Sequence, residues 1–241
     1  MDSTTERSRN RAYAEAHEPR QTALVAALRW AAGKAGGELR NVTLWLPGAL
    51  NTRDSDLKRT AAAATKRGIT VVSARDRRHF TGAVVILQPP LRELLEMEDE
   101  RDVTALAVVT ANPEHQPWIT AFGPEHLGGN VIPVADPILD DPVVAAAWDT
   151  FHGVCSPTGS LTYPTDHDTV KDGLAQLRKA GHAADPGALA AAALAAGWSA
   201  RTVLALHDLA AAAVRGRGVR ARHTVLSADQ VAQWTREPAA R

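Results

Sequence analysis

Two arginine–aspartate pairs and one histidine are the residues whose types could act on an anionic substrate. Arg53 with Asp54 and Arg75 with Asp76 each follow an apolar run, and His115 follows another. Arginine binds phosphate through a planar fork of donors, while Asp54, Asp76 or His115 could transfer protons. This set favours an enzyme that acts on a nucleotide-like or phosphorylated substrate.

The sequence lacks the fingerprints of ordinary nucleotide enzymes. No Gly-x-Gly-x-x-Gly follows the first apolar run, which ends in Pro47-Gly48-Ala49, and no Gly-x-x-x-x-Gly-Lys-Ser/Thr or Gly-x-Ser-x-Gly occurs. The sequence therefore predicts no cofactor. Because an Arg/Asp rim is also typical of a salt-bridged surface, catalysis is the alternative hypothesis and not the leading one.

A second candidate site lies near the carboxyl terminus. Two apolar segments flank Gly197-Trp198-Ser199 in the layout of a helix-turn-helix, and a basic segment without acids follows them. Such a segment suits phosphate contacts. The candidate nucleic-acid-binding residues are Arg201, Thr202, Arg215, Arg217, Arg220 and Arg222.

The second helix of this pair is poor in side chains that read base edges. It offers Arg201, Thr202 and His207, and it adds Asp208. A plain helical hairpin that packs on a partner protein therefore stays open beside DNA binding.

Charge is segregated along the chain. Residues 1–101 hold 17 bases and 13 acids, residues 171–241 hold 10 bases and 5 acids, and the window from Asp102 to Val170 holds 9 acids and no Lys or Arg. This excludes one uniform nucleic-acid-binding surface. The window also contains His115, His126, His152 and His167, but no spacing matches a zinc or calcium motif, so no metal site is predicted.

The elements that must position these residues are predicted from hydrophobic periodicity. Continuous β-branched runs predict strands over 42–46, 69–73, 83–87, 104–110 and 131–134. Helical spacing, caps and glycine stops predict helices over 22–34, 54–66, 91–97, 115–122, 142–154, 169–180, 185–197 and 199–216, and a last one from Ser227, with Asp168 as a cap. Strand–helix alternation predicts a Rossmann-like, doubly wound open parallel sheet followed by a small all-α, helix-turn-helix-like domain.

The predicted organisation has four parts. Residues 1–20 form a flexible arm, 21–154 the α/β domain, 155–168 a linker and 169–241 the helical domain. The arginines of the arm (Arg7, Arg9 and Arg11) are interpreted as a solvated tail in preference to phosphate contacts. Five tryptophans within or beside predicted elements are interpreted as core or interface anchors.

The composition bears on the compartment. One cysteine, Cys155, cannot form an internal disulfide, and neither a signal peptide nor an apolar stretch long enough to span a membrane is predicted. We therefore expect a cytoplasmic protein without a membrane partner.

The runs Gly82–Pro89, Ala105–Thr110 and Lys179–Trp198 together resemble uncharacterised actinobacterial proteins that pair an α/β domain with a small helical domain. The resemblance covers most of the chain after about residue 40, and its motifs are strand ends, caps and the Gly-Trp turn. No activity is known for that group, so it implies a fold and assigns no site residue.

The leading hypothesis is a non-catalytic binding or regulatory protein. Its helical domain would engage DNA or a partner protein, and its α/β domain would act as a sensor or assembly platform. The alternatives are the enzyme described above and a structural subunit of a larger assembly, for which tryptophans exposed on one face would be the sign. The expected protein contact is with a partner protein or, in a homo-oligomer, with further copies of this chain.

Overall fold

The computed structural model describes residues 9–16, 20–46, 55–73, 79–128, 138–159, 161–217, 221, 224–227 and 229–236. The chain divides into two compact units. The α/β unit comprises the described residues of Met1–His115 and Gly123–Pro133, and the helical unit those of Gln116–Phe122 and Val134–Arg241.

The α/β unit is built on one six-stranded sheet. Its strands are β1 (Asn10–Glu15), β2 (Val42–Leu46), β3 (Thr70–Ser73), β4 (Gly82–Leu87), β5 (Val103–Thr110) and β6 (Glu125–His126). Their order is β3-β2-β4-β5-β1-β6, and every neighbouring pair is parallel. The predicted open parallel sheet is confirmed.

Both faces of the central strands are buried. On β4, Ala83 and Val85 belong to one hydrophobic core, while Val84 and Ile86 point to the opposite face and are also fully buried. This double burial explains why the strand sequences are continuously apolar and do not alternate with polar residues.

Three helices belong to the α/β unit: α1 (Arg20–Lys34), α2 (Ser55–Lys66) and α3 (Leu91–Asp99). Residues of α1 and α2 share one core with alternate strand residues. The chain moves from β2 to β3 in one direction along the sheet and from β4 to β5 in the other. Since crossovers between parallel strands are right-handed, α2 and α3 cover opposite faces, which makes the sheet doubly wound.

Strand β1 is the largest departure from the predicted organisation. Asn10–Glu15 lies between β5 and β6, in the segment predicted as a flexible arm. The prediction is wrong for residues 10–15 because Ala12, Tyr13 and Ala14 are buried there and pair with β5 along the whole strand.

Ionic contacts hold the start of β1. The guanidinium of Arg9 is 3% exposed, and it donates to the carbonyls of Val103 (2.9 Å), Met97 (2.9 Å) and Glu100 and to the carboxylate of Glu98 (3.0 Å). Arg11 donates to both oxygens of the same carboxylate. These arginines therefore fix the strand and do not form a solvated tail; Arg7 lies outside the described residues.

The helical unit contains six helices in the described part of the chain. They are α4 (Gln116–Phe122), α5 (Pro142–Val154), α6 (Pro164–Lys179), α7 (Pro186–Ala195), α8 (Ala200–Val214) and α9 (Gln230–Arg236). Helix α4 packs against α7, α7 against α8, α6 against α8, and α5 against α6 and α9. The predicted all-α region is confirmed.

Aromatic side chains join these helices. Trp148 on α5 lies 5.0 Å from Trp198 between ring centroids, and the Trp198 indole N–H donates to Nδ1 of His152 at 3.0 Å. Trp234 on α9 packs edge-on against Phe151. The tryptophans predicted as anchors are all buried, and Trp30 is half-buried, so no described tryptophan presents an exposed face.

Several boundaries in this unit differ from the predicted ones. Helix α5 belongs to the helical unit, and α6 begins at Pro164, inside the predicted linker. Asp168 is therefore a buried residue within α6 and not its cap. The last helix begins at Gln230 and not at Ser227. The strand predicted over 131–134 lies outside the described residues.

Candidate functional site

The strand-end rim is described only in part. Arg53, Asp54, Arg75 and Asp76 lie outside the described residues. Of the five predicted catalytic candidates the structure therefore places His115 alone, directly after β5.

His115 is fully buried and held by two hydrogen bonds within the protein. Its Nε2 lies 2.7 Å from the carbonyl oxygen of Pro89, and its Nδ1 lies 2.5 Å from Oγ1 of Thr110. Because the carbonyl can only accept, Nε2 carries the proton and Nδ1 accepts from the hydroxyl. Burial lowers the pKa of His115 and favours this neutral form.

The neighbours of His115 are bonded among themselves. Thr110 Oγ1 also accepts from the backbone N–H of Asn112, and the Asn112 side chain bonds the backbone and carboxylate of Glu114. The turn after β5 thus ties two strand ends together. Both nitrogens of His115 are bonded within the protein, which does not favour its predicted role as acid or base; that role stays a prediction.

The helix pair of the second candidate site forms as predicted. Gly197 adopts φ +77°, and the N–H of Trp198 donates to the carbonyl of Ala193, which closes α7. Ser199 caps α8 by accepting from the N–H of Thr202. Thr202 is fully buried and its hydroxyl bonds Ser199 Oγ at 2.8 Å, so it cannot contact a nucleic acid.

The described cations of this site lie at the exposed ends of the helices. Arg201 is exposed on the first turn of α8, whereas Arg215 and Arg217 are exposed after its end; Arg220 and Arg222 lie outside the described residues. An ideal β-carbon on Gly216 would lie 2.7 Å from Nη1 of Arg178, so the end of α6 adds a guanidinium beside this segment. The larger group of described cations therefore lies at the carboxyl end of α8. The exposed surface of α8 also carries an acid, Asp208, which is 85% exposed.

No metal centre emerges from the acidic window. Within the described ranges, no group of three or more His, Cys, Asp or Glu side chains is placed to hold a metal ion. Asp141 instead caps α5 and accepts from His182 Nδ1 at 2.7 Å. Likewise, none of the helices in the described part is both long and apolar enough to cross a membrane.

A concave site that the sequence analysis missed is a groove between α1 and α2. Its volume is about 480 Å³, within the range of ligand sites. Apolar side chains form most of the lining, and arginines lie on both helices. The lining residues are Gln21, Val25, Leu28, Arg29, Ala32, Leu39, Arg59, Thr60, Ala63, Ala64, Arg67 and Ile69.

The sheet order explains why this groove exists. Strands β1 and β2, which α1 connects, are separated in the sheet by β5 and β4. Helix α1 therefore packs over β5, β1 and β4, while α2 packs over β3. The space left between the two helices reaches down to Leu39 and Ile69, which pack on the core of the unit.

Basic side chains line the groove. Arg29, Arg59 and Arg67 are exposed, and none of the lining residues that the structure describes is an acid or a histidine. Residues 20–73 contain nine Lys and Arg against three Asp and Glu. This excess of basic over acidic residues in 20–73 was the signal that the sequence offered. It is less evident when charges are counted over residues 1–101, which hold 17 bases and 13 acids. The arrangement suits a ligand with an apolar body and negative charge.

Comparison with known proteins gives a match in the carboxyl-terminal part of the chain. Residues 140–235, which include α5 to α8 and most of α9, are similar to a domain of unknown function, DUF1889. No curated protein and no solved structure matches the chain. The similarity covers less than half of the chain and carries no activity, so the function has to be argued from the sites themselves.

Proposed function

We propose that this protein is a non-catalytic binding protein. Its α/β unit acts as a sensor or assembly platform and holds an anionic ligand with an apolar body in the α1–α2 groove. The observation that carries the proposal is the combination of an apolar floor with Arg29, Arg59 and Arg67 at its edges. Arginine is weakly hydrated and always charged, so it pairs well with anions beside apolar surface.

The lining of the groove favours binding over catalysis. Among the described residues the lining contains no histidine, cysteine, carboxylate or lysine, and Thr60, the one hydroxyl among them, is buried. Chemistry would need an acid, a base or a nucleophile within reach of the ligand. The enzyme hypothesis rests on Arg53, Asp54, Arg75 and Asp76 without the support of His115, whose two nitrogens are occupied.

The proposal is tested with 8-anilinonaphthalene-1-sulfonate, a fluorescent anion with an apolar body. We expect saturable binding to the folded protein. Ala63→Trp should weaken dye binding at least tenfold because the indole fills the groove. A tenfold loss of affinity corresponds to about 1.4 kcal/mol of binding free energy. Ala62→Trp is the matched control, since Ala62 is exposed on the same helix but does not line the groove. Equal binding by both variants and the parent would refute the proposal.

DNA binding by the helical unit is a second candidate function. The exposed Arg215 and Arg217, with Arg178 beside them, support it. Because these cations lie beyond the end of α8 and not along its outer face, we propose phosphate contacts without base readout.

The test is binding of the full chain to labelled duplex DNA at several salt concentrations. Replacing Arg215, Arg217, Arg220 and Arg222 by alanine should weaken binding and flatten its salt dependence, because fewer counterions are released. Arg92→Ala with Arg101→Ala, which changes exposed arginines of the α/β unit, is the control. If the four-arginine variant binds as the parent does, the helical unit is not the DNA site, and a protein partner becomes its best candidate.

A further inference from the structure

The groove is elongated along both helices that form it. On α1 the lining runs from Gln21 to Ala32, and on α2 and the residue after it from Arg59 to Arg67. At about 1.5 Å of rise per residue, these stripes are roughly 16 Å and 12 Å long. The groove therefore matches two to three turns of another helix more closely than a compact small molecule.

The chemistry of the walls also favours a helical occupant. The walls are helices, whose backbone groups are already bonded within α1 and α2. An extended peptide would find few backbone partners there, whereas a helix satisfies its own N–H and C=O groups. An amphipathic helix places apolar side chains at i, i+3, i+4 and i+7 into such a floor, and the small Ala63 and Ala64 allow close approach.

The positions of the arginines indicate the charge of the occupant. Arg59 and Arg67 are eight residues apart at the α2 wall, and Arg29 is on the opposite wall. A single anionic head group would require convergent cations, whereas acidic side chains along a helix would meet cations distributed along the groove. A second copy of this face would bring the same arginines together and be repelled. A nucleic-acid backbone would leave the apolar floor unfilled.

We propose that the α1–α2 groove binds an acidic amphipathic helix of a partner protein. The inference deepens the proposed function and depends on it, since both use the same groove. Leucine-like side chains would pack against Val25, Leu28 and Ala63, and carboxylates on the flanks of the helix would pair with Arg29 and Arg67.

The probe is a fluorescently labelled helical peptide of about 15 residues, with leucines on one face and glutamates on its flanks. Its anisotropy is measured with the full chain. We expect saturable binding that weakens with salt, and a peptide of the same composition in scrambled order should bind at least tenfold less tightly because its apolar face is lost.

Matched charge reversals locate the site. Arg29→Glu with Arg67→Glu should weaken binding about tenfold or more, because both carboxylates then repel the peptide. Lys34→Glu with Lys66→Glu makes the same change in net charge on the same two helices but outside the lining, and it should change affinity less than threefold. An equal loss of peptide affinity in both variants would show that the peptide does not bind in the groove. Thermal melts establish that each variant is folded.

The outcomes separate the inference from the proposed function. One outcome is that the peptide does not bind, while a small amphiphilic anion, 8-anilinonaphthalene-1-sulfonate or the fatty acid anion dodecanoate, binds and Ala63→Trp blocks that binding. In that case the helix inference is wrong and the groove remains a site for small amphiphiles. If the peptide does not bind, but duplex DNA binds the parent and loses affinity for the variant Arg29→Glu with Arg67→Glu, the helix inference is wrong and the face is a nucleic-acid surface. If no probe binds in a manner sensitive to Ala63→Trp, both proposals fail.

Discussion

The buried guanidinium of Arg9 is the most testable contact in the α/β unit. Arg9→Ala removes donors from three backbone carbonyls and from the carboxylate of Glu98, which is itself only 8% exposed. Removing one partner of a buried ion pair typically costs about 3–5 kcal/mol. Because Glu98 keeps Arg11 as a partner, we expect the lower end of this range, about 3 kcal/mol.

Amide hydrogen exchange is the suitable assay, because unfolding of two units does not give one transition. A loss of about 3 kcal/mol should speed exchange of the β1 amides roughly 100-fold where they exchange through opening of the sheet. Arg9→Lys keeps the charge but not the fork of donors, so its effect should be intermediate.

Arg92→Ala is the matched control. Arg92 is 75% exposed and pairs with Glu96 across one helical turn, so its removal should cost less than about 1 kcal/mol. If Arg9→Ala speeds exchange in β1 no more than Arg92→Ala does, the buried ion pair does not hold the strand and the reasoning is refuted.

Three further predictions concern the helical unit. Gly173→Ala should lower the stability of this unit by about 1–3 kcal/mol, because the new β-carbon would lie 2.5 Å from the Phe151 ring. Gly153→Ala, whose β-carbon would have open space, should raise the thermal midpoint of the unit. Similar midpoints for the two variants would contradict this packing. Burial alone would raise the pKa of Asp141, but the His182 hydrogen bond and the first amides of α5 hold it below the ordinary 3.8. Its stabilising effect is therefore present at neutral pH and lost as the pH falls through the folded-state pKa, so Asp141→Ala should flatten the acid limb of a stability–pH curve. Burial raises the pKa of Cys155 to about 12, so a chromogenic disulfide reagent at neutral pH should label it only after unfolding, and rapid labelling of the native protein would count against this burial.

Elements whose information is local were predictable. The continuous apolar runs predicted β2 to β5, because strands buried on both faces need no polar residues. Caps and glycines predicted α5, α7 and α8 to within one or two residues, since these signals act within a single turn of backbone. The fold class follows from such local signals added along the chain.

The predictions that the structure does not support concern residues whose surroundings are set by tertiary contacts. The sequence of β1, NRAYAE, is short and mixed, and it forms an internal strand because it pairs with the distant β5 and is anchored by the Arg9–Glu98 ion pair. His115 reads as a catalyst in sequence, yet Thr110 and Pro89 occupy both of its nitrogens. Thr202 reads as a DNA contact, yet it is fully buried and its hydroxyl bonds Ser199.

By itself, then, the sequence determined where β2 to β5 and most of the helices form, that the strands are parallel, and that basic and acidic stretches are separated. Only the tertiary structure decided which side chains are accessible and where a groove forms. The groove illustrates the reason: it exists because two strands intervene between β1 and β2 in the sheet, which leaves α1 and α2 apart. Strand order is set by contacts between segments far apart in sequence, and local patterns do not encode it.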